Sequence, residues 1–208
     1  MVAKPVIVGR SSSHFTRVAR IFAAELGVAC DLRVVHDLMS ADAADYGGNP
    51  ALKMPTLVTS HGTWFGALPI CRELARQSSL RLRIVWPEDL DTPLLSNAQE
   101  LTVHAMAMGV SLTLGKVSGV PVDNAHRLKM ERSLLSTLSW LDANVAEARS
   151  ALPAERHLCF LEVTLFCLTT HLKFRDTVPT ASYSSLNAFC ESFAARSSAR
   201  ATEYRFDA

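Results

Sequence analysis

The 208-residue sequence lacks long hydrophobic runs, an excess of either charge and paired cysteines. Its longest apolar runs are broken by charge, glycine or proline well before the ~18 residues that a membrane span needs. The 21 basic and 20 acidic residues leave a formal charge of +1, so no strong field draws the chain to nucleic acid or to a membrane surface. With 49% hydrophobic residues, the sequence predicts a packed protein whose partners are small molecules, with no nucleic acid and no membrane.

The cysteines and histidines predict neither a disulfide framework nor a metal site. The five cysteines are odd in number and form no CxxC pair, and the seven histidines occur singly rather than four residues apart. Reduced, buried thiols in a cytoplasmic protein are therefore expected. HExxH, GxSxG and EF-hand motifs are missing. Residues 109–116 are one residue too long for a phosphate-binding loop, and Val117 stands where Ser or Thr would bind magnesium.

The first eighty residues predict alternating strands and helices. Ser11, Ser12 and Ser13 precede an apolar face of helical spacing and can cap that helix, and Gly27 follows where a helix ends. A β-hairpin with a Gly-containing turn comes later. The predicted elements are a strand at 5–8, a helix from 15 to 26, strands at 30–35, 56–59 and 63–65, and a helix at 68–77.

The remainder of the chain predicts helices only. Residues 81–92 mix charge with breakers and show no clear period, so they are interpreted as a linker between a domain at 1–80 and a domain at 93–208. The predicted helices are 95–114, 122–148, 158–174 and 182–196. Residues 158–174 are apolar on all sides, which predicts a helix enclosed by its neighbours.

Three segments resemble the glutathione transferases of the serine and cysteine type. Residues 13–20 (SHFTRVAR) are similar to the family's S-x-x-[ST]-x-x-V-R at the start of the first helix. Residues 49–57 (NPALKMPTL) resemble N-P-x-x-K-[VM]-P-x-L. Residues 174–198 contain Phe189 and Phe193-Ala194-Ala195-Arg196 in a pattern similar to the family's closing helices.

The resemblance implies an α/β thioredoxin-like N-terminal domain that holds glutathione, an all-α C-terminal domain, and a homodimer. It implies that Pro55 is in cis and that the backbone of Met54 pairs with the cysteinyl part of glutathione. It places Lys53 near the glycine carboxylate, with an exposed loop charge as the equal alternative. It assigns catalysis to Ser13, with glutathione as co-substrate and no metal.

The chemistry required of Ser13 is modest. Lowering a thiol pKa from about 8.5 to about 6.5 requires about 2.7 kcal/mol of preference for the thiolate. A hydroxyl hydrogen bond to a charged sulfur contributes roughly 1.5–3 kcal/mol, and a helix N-terminus adds about 0.3–1 kcal/mol. One serine at a helix start is therefore sufficient. The alternative is that Ser12 or Ser13 only caps the helix.

Two positions depart from the family pattern. Where the family has E-S, whose side chains hold the γ-glutamyl group, this chain has Gly66 and Ala67. Losing both anchors costs on the order of 3–6 kcal/mol, a hundredfold or more in affinity, if nothing replaces them. The family's S/T-x-x-D capping box is replaced by Cys159 and Glu162. Because Cys is a poor cap, the helix is expected to form with a weaker start, with a bond from Glu162 back to a backbone N–H as the remaining cap.

Two functions from different classes follow. In the first, the protein is an enzyme in which Ser13 activates the glutathione thiol for attack on a small hydrophobic electrophile. The electrophile then lies near His104, Met106 and Met108 of the long helix, residues that fit a dimer contact or a core equally well. In the second, the protein is a non-catalytic binding or interaction module that keeps the fold after losing glutathione affinity.

Overall fold

The computed structural model describes residues 4–208. The chain divides into two compact units, one comprising residues 4–82 with 194–208 and the other residues 83–193. The C-terminal residues therefore belong with the N-terminal unit, whereas the sequence placed them in a domain at 93–208. Among the described residues, no helix is both long enough and apolar enough to cross a membrane.

The first unit is built on a four-stranded mixed sheet. The strands are β1 (Val6–Gly9), β2 (Asp31–Val34), β3 (Thr56–Thr59) and β4 (Gly62–Phe65), in the spatial order β2-β1-β3-β4. β1 and β2 are parallel, while β3 is antiparallel to both β1 and β4. Its first two α-helices are α1 (His14–Glu25), between β1 and β2, and α2 (Ala67–Gln77), after β4. The expected order of strands and helices in this half is confirmed.

Local sequence explains where α1 begins and ends. Ser13 is the N-cap, with extended backbone, and its side chain accepts a hydrogen bond from the Thr16 N–H. Leu26 is the C-cap of α1, and Gly27 follows with φ +64°, a left-handed conformation that glycine adopts without cost. Between these ends, α1 buries the apolar face predicted from its spacing, which includes Val18 and Phe22.

The second unit is largely helical. It contains β5 (Ile84–Val85), α3 (Pro93–Val117), α4 (Ala125–Ala151), β6 (Leu158–Cys159), α5 (Phe160–Arg175) and α6 (Ser184–Ala194). The last residue of α6 belongs to the first unit, as does the short helix α7 (Ser197–Ala201) that follows it. Within residues 81–92, interpreted as a linker, residues 84–85 form β5, which pairs in parallel with β6. Two-residue strands are too short to produce a hydrophobic period.

Helix α5 is enclosed, as predicted, since residues on all its sides are buried. Its start differs from expectation. Cys159 is the N-cap but makes no side-chain capping bond. The Glu162 carboxylate instead accepts hydrogen bonds from Arg156 Nη2 at 2.8 Å and Arg149 Nε at 3.3 Å. The two guanidinium groups are stronger partners for a buried carboxylate than one backbone N–H.

We expect Gly9→Ala to destabilise the protein by about 1–3 kcal/mol, because a new methyl group would overpack the contact between β1 and α1. A Cβ on Gly9 would lie 2.7 Å from Thr16 Cγ2 and closer still to Thr16 Oγ1. Thermal unfolding measures the effect. Gly115→Ala is the matched control, since its Cβ would lie 3.6 Å from Val120. In a Thr16→Ala background the Gly9→Ala cost should fall, because only the 3.1 Å contact with Thr16 Cβ remains; an undiminished cost there contradicts the assigned clash.

Candidate functional site

Three loops meet at one end of the four-stranded sheet. Val8, near the end of β1, is paired with Thr56 at the start of β3, and Thr56 is paired with Phe65 at the end of β4. The loop after β1, the loop before β3 and the loop after β4 are therefore neighbours. A hydrogen bond from the Gly66 N–H to the Pro55 carbonyl, 3.0 Å long, joins two of them.

Ser13 is half-buried in the loop after β1. Its N–H donates to the Arg10 carbonyl at 3.1 Å, and its Oγ accepts from the Thr16 N–H at 3.3 Å. The capping role weighed from the sequence is thus confirmed. Because Oγ is the acceptor in that bond, the hydroxyl proton stays available to a second partner. Capping and donation to a thiolate are compatible in this geometry.

The Met54-Pro55 peptide bond is cis, as the resemblance implied. The Met54 side chain packs against the buried cluster of Val8, Val35 and Tyr46. Since its side chain lies against the protein interior, the backbone N–H and C=O are what Met54 offers to a ligand. Lys53, the preceding residue, is exposed.

Asn49 holds this loop in place, a role that sequence reasoning missed. Its side chain is 4% exposed. Its Nδ2 donates to the Lys53 carbonyl at 2.7 Å, and its Oδ1 accepts from the Ala51 N–H at 3.0 Å. The available signal was an Asn before Pro at the start of the N-P-x-x-K segment, since Asn side chains commonly bond backbone two residues on.

Gly66 and Ala67 form the start of α2 at the same end of the sheet. Gly66 has φ +82° and ψ 159°, a region open almost only to glycine, and it provides no side-chain cap. A Cβ there would meet nothing within 4 Å, so the space beside it is open. The first N–H groups of a helix have no partner within the helix. The backbone N–H groups of Ala67 and Leu68 therefore have no partner within α2 and point to the open space at its start.

Thiol groups of the protein are poor candidates for a nucleophile. Burial raises the pKa of Cys30 to about 11, and burial likewise raises that of Cys159 to about 11. Cys71, Cys167 and Cys190 are buried. A thiolate is the nucleophilic form of cysteine, so at neutral pH Cys30 and Cys159 remain unreactive.

The residues expected to form a second-substrate pocket do not share one surface. His104 is exposed and lies 3.6 Å from Glu100, one turn away on α3. Met108 is half-buried one turn further on, whereas Met106 is fully buried. The structure therefore brings His104 and Met108 to one face of α3 and places Met106 in the interior of the unit.

Within residues 4–208 the structure contains no group of three or more His, Cys, Asp or Glu side chains that could hold a metal ion. The site described above consists of a hydroxyl, an ammonium group and backbone amides.

Comparison with known proteins identifies the fold. No family model and no curated protein matches the sequence. A glutathione transferase from Methylobacillus flagellatus, solved with glutathione bound, is 17% identical, with 97% of this chain and 100% of that chain aligned at a TM-score of 0.75. A glutathione transferase family member from Pseudomonas fluorescens, also with bound glutathione, is 19% identical, with 97% of this chain and 100% of that chain aligned at a TM-score of 0.76.

A third structure extends the comparison. A glutathione transferase from Methylobacterium radiotolerans, in complex with glutathione sulfonate, is 15% identical over 99% of this chain and 98% of that chain, with a TM-score of 0.73. The chain therefore has the glutathione transferase fold, and the expected combination of a thioredoxin-like part and a helical part is confirmed.

Proposed function

We propose that this chain is a glutathione transferase, which binds glutathione at the three-loop end of the sheet and activates its thiol with the Ser13 hydroxyl. The observation that carries the proposal is the strand register, which brings the loops of Ser13, Met54 and Ala67 to one edge. Proteins of the same fold from Methylobacillus flagellatus and Pseudomonas fluorescens were solved with glutathione bound.

Backbone atoms provide most of the proposed binding. The N–H and C=O of Met54 pair with the cysteinyl residue of glutathione in the manner of a short antiparallel strand. The N–H groups at the start of α2 donate hydrogen bonds to the γ-glutamyl carboxylate, aided by the partial positive charge of the helix N-terminus. Lys53, exposed beside Met54, pairs with the glycine carboxylate. Such contacts need no particular side chain at Gly66 or Ala67.

Ser13 then acts on the sulfur. Its hydroxyl donates a hydrogen bond to the thiolate while Oγ keeps the capping bond from Thr16. The thiol proton leaves to solvent as the thiolate forms. The sulfur electron pair forms a bond to the electrophilic carbon of a small apolar substrate, and the leaving group departs with its bonding pair. We propose that the protein acts as a homodimer in the cytoplasm.

A second candidate is a non-catalytic module of the same fold. Gly66 and Ala67 favour it, because the two side chains that usually hold the γ-glutamyl group are missing. In that case affinity for glutathione falls a hundredfold or more.

Calorimetric titration of the purified protein with millimolar glutathione separates the two candidates. The transferase proposal predicts saturable heat and conjugation of a model electrophile. An absence of heat at these concentrations supports the module and contradicts the transferase.

We expect Asn49→Asp to weaken glutathione binding by roughly tenfold, about 1.4 kcal/mol, because the carboxylate cannot donate to the Lys53 carbonyl and repels it. The bond from Ala51 is retained, so the change affects only the 2.7 Å contact that fixes the Lys53 backbone. Calorimetry of the variant measures the effect. Asn97→Asp, on the exposed side of α3, is the matched control. Equal affinities of Asn49→Asp and the wild type contradict this role.

A further inference from the structure

The C-terminal segment, residues 196–208, is attached to α1 close to Ser13. Arg17, one turn beyond Ser13, is 4% exposed. Its Nη2 donates to the Ala199 carbonyl at 3.1 Å, and its guanidinium group lies 4.3 Å from the centre of the Tyr204 ring. A buried guanidinium held by a carbonyl and an aromatic face fixes the segment on the helix.

The start of this segment is anchored at the other end of α1. Glu25 accepts a hydrogen bond from Ser198 Oγ at 2.5 Å and lies 3.1 Å from Arg196 Nη1. The segment therefore runs along α1 from its last turn back toward its first turn. Its direction brings the final residues to the loop that carries Ser13.

Asp207 makes the contact with that loop. Its Oδ2 accepts a hydrogen bond from the Ser11 N–H at 2.8 Å. Ser11 is 1% exposed, so this N–H has no ready replacement from water. A hydrogen bond to a charged acceptor contributes roughly 1.5–3 kcal/mol, about twice a neutral one. Ser11 lies within the turn that the Ser13 N–H closes onto the Arg10 carbonyl at 3.1 Å.

The Asp207 carboxylate interacts electrostatically with Arg20 of α1, which also interacts with Arg205, two residues before Asp207 in the chain. Burial lowers the pKa of Arg20, the charge of Arg205 lowers it further, and the Asp207 carboxylate opposes both effects. The Asp207 carboxylate therefore offsets part of the repulsion that Arg20 experiences from Arg205.

We infer that Asp207 is a positioning residue for Ser13, because its carboxylate fixes the Ser11 N–H and with it the turn that directs the Ser13 hydroxyl to the sulfur. The inference rests on the proposed function. Asp207 does not touch the ligand. Its hydrogen bond fixes the backbone at Ser11, two residues before Ser13. The capping bond from the Thr16 N–H fixes Ser13 to the first turn of α1 that follows it.

Two variants and one control test the inference. Asp207→Ala removes the acceptor, Asp207→Asn keeps an amide oxygen that can accept the same bond, and Glu203→Ala removes an exposed acid of the same segment. Hydrogen exchange of the Ser11 amide reports the bond without any ligand. The thiolate titration of bound glutathione and the separate values of kcat and KM report its consequence.

In Asp207→Ala we expect faster exchange of the Ser11 amide, a bound-thiol pKa shifted toward its free value, and kcat reduced about tenfold or more with KM for glutathione little changed. Asp207→Asn should recover most of kcat, and Glu203→Ala should match the wild type. If Asp207→Ala lowers the melting temperature but leaves kcat and the pKa of the bound thiol unchanged, the inference is overturned and the proposed function stands. If the wild type itself holds no thiolate, the proposed function fails, and this role fails with it.

Discussion

Ser13→Gly is expected to lower kcat/KM for glutathione conjugation by roughly 10- to 100-fold, because a hydrogen bond to a charged sulfur contributes about 1.5–3 kcal/mol. Glycine is nearly as good an N-cap as serine and costs only a few tenths of a kcal/mol. Since Ser13 caps α1 through the Thr16 N–H, this choice of substitution separates the hydroxyl's chemistry from its capping role. Steady-state kinetics and thermal unfolding of the same preparation measure both.

Two further substitutions control that result. Ser13→Thr keeps a hydroxyl and a cap, so activity should be largely retained. Ser13→Ala removes both, and we expect it to lose activity and about 0.5–2 kcal/mol of stability. Full activity in Ser13→Gly with normal stability would mean that Ser13 only caps the helix.

Arg156→Met is expected to destabilise the protein by about 3 kcal/mol, because it removes the closest partner of a buried carboxylate and leaves it only the 3.3 Å bond from Arg149. The Glu162 side chain is 10% exposed, and its partners Arg156 and Arg149 are 16% and 38% exposed. Denaturant unfolding at neutral pH measures the loss. The double variant Arg156→Met/Glu162→Leu should be more stable than Arg156→Met, since it also removes the buried carboxylate that has lost its main partner. A double variant that is less stable than the single one contradicts the assignment.

The ion pair of Glu162 and Arg156 also predicts that the stability of the protein depends on pH. Burial alone raises the pKa of Glu162, but hydrogen bonds and charge from Arg156, then Arg149, outweigh it and hold the pKa below its ordinary value. A carboxyl group with a depressed pKa stabilises the fold above its unfolded pKa, and this stability is lost as the pH falls through the folded pKa. The difference between the wild type and Arg156→Met should therefore be largest near neutral pH and narrow in acid.

Features set by local sequence were predictable. The cap at Ser13, the glycine after α1 and the hairpin of β3 and β4 depend on residues close together in the chain, and the structure confirms them. The enclosed helix α5 was visible because its apolar residues occupy all sides. In each case a few neighbouring residues carry the whole signal.

Features set by distant contacts were not predictable. β5 and β6 are two residues long, and they form only because residues 84–85 meet residues 158–159. The bond from the Ser11 N–H to Asp207 joins residues 196 positions apart. Glu162 meets two arginines rather than a backbone N–H. No period or motif encodes such pairs, so the return of the C-terminal segment to the first unit was missed.

The most direct test of the proposed chemistry is a pH titration of the thiolate absorbance of bound glutathione, in the wild type and in Ser13→Gly. The free thiol has a pKa near 8.5, and we expect the wild type to lower it to about 6.5 while Ser13→Gly returns it most of the way. A bound thiol that titrates at the same pH in both proteins would contradict the role of the Ser13 hydroxyl.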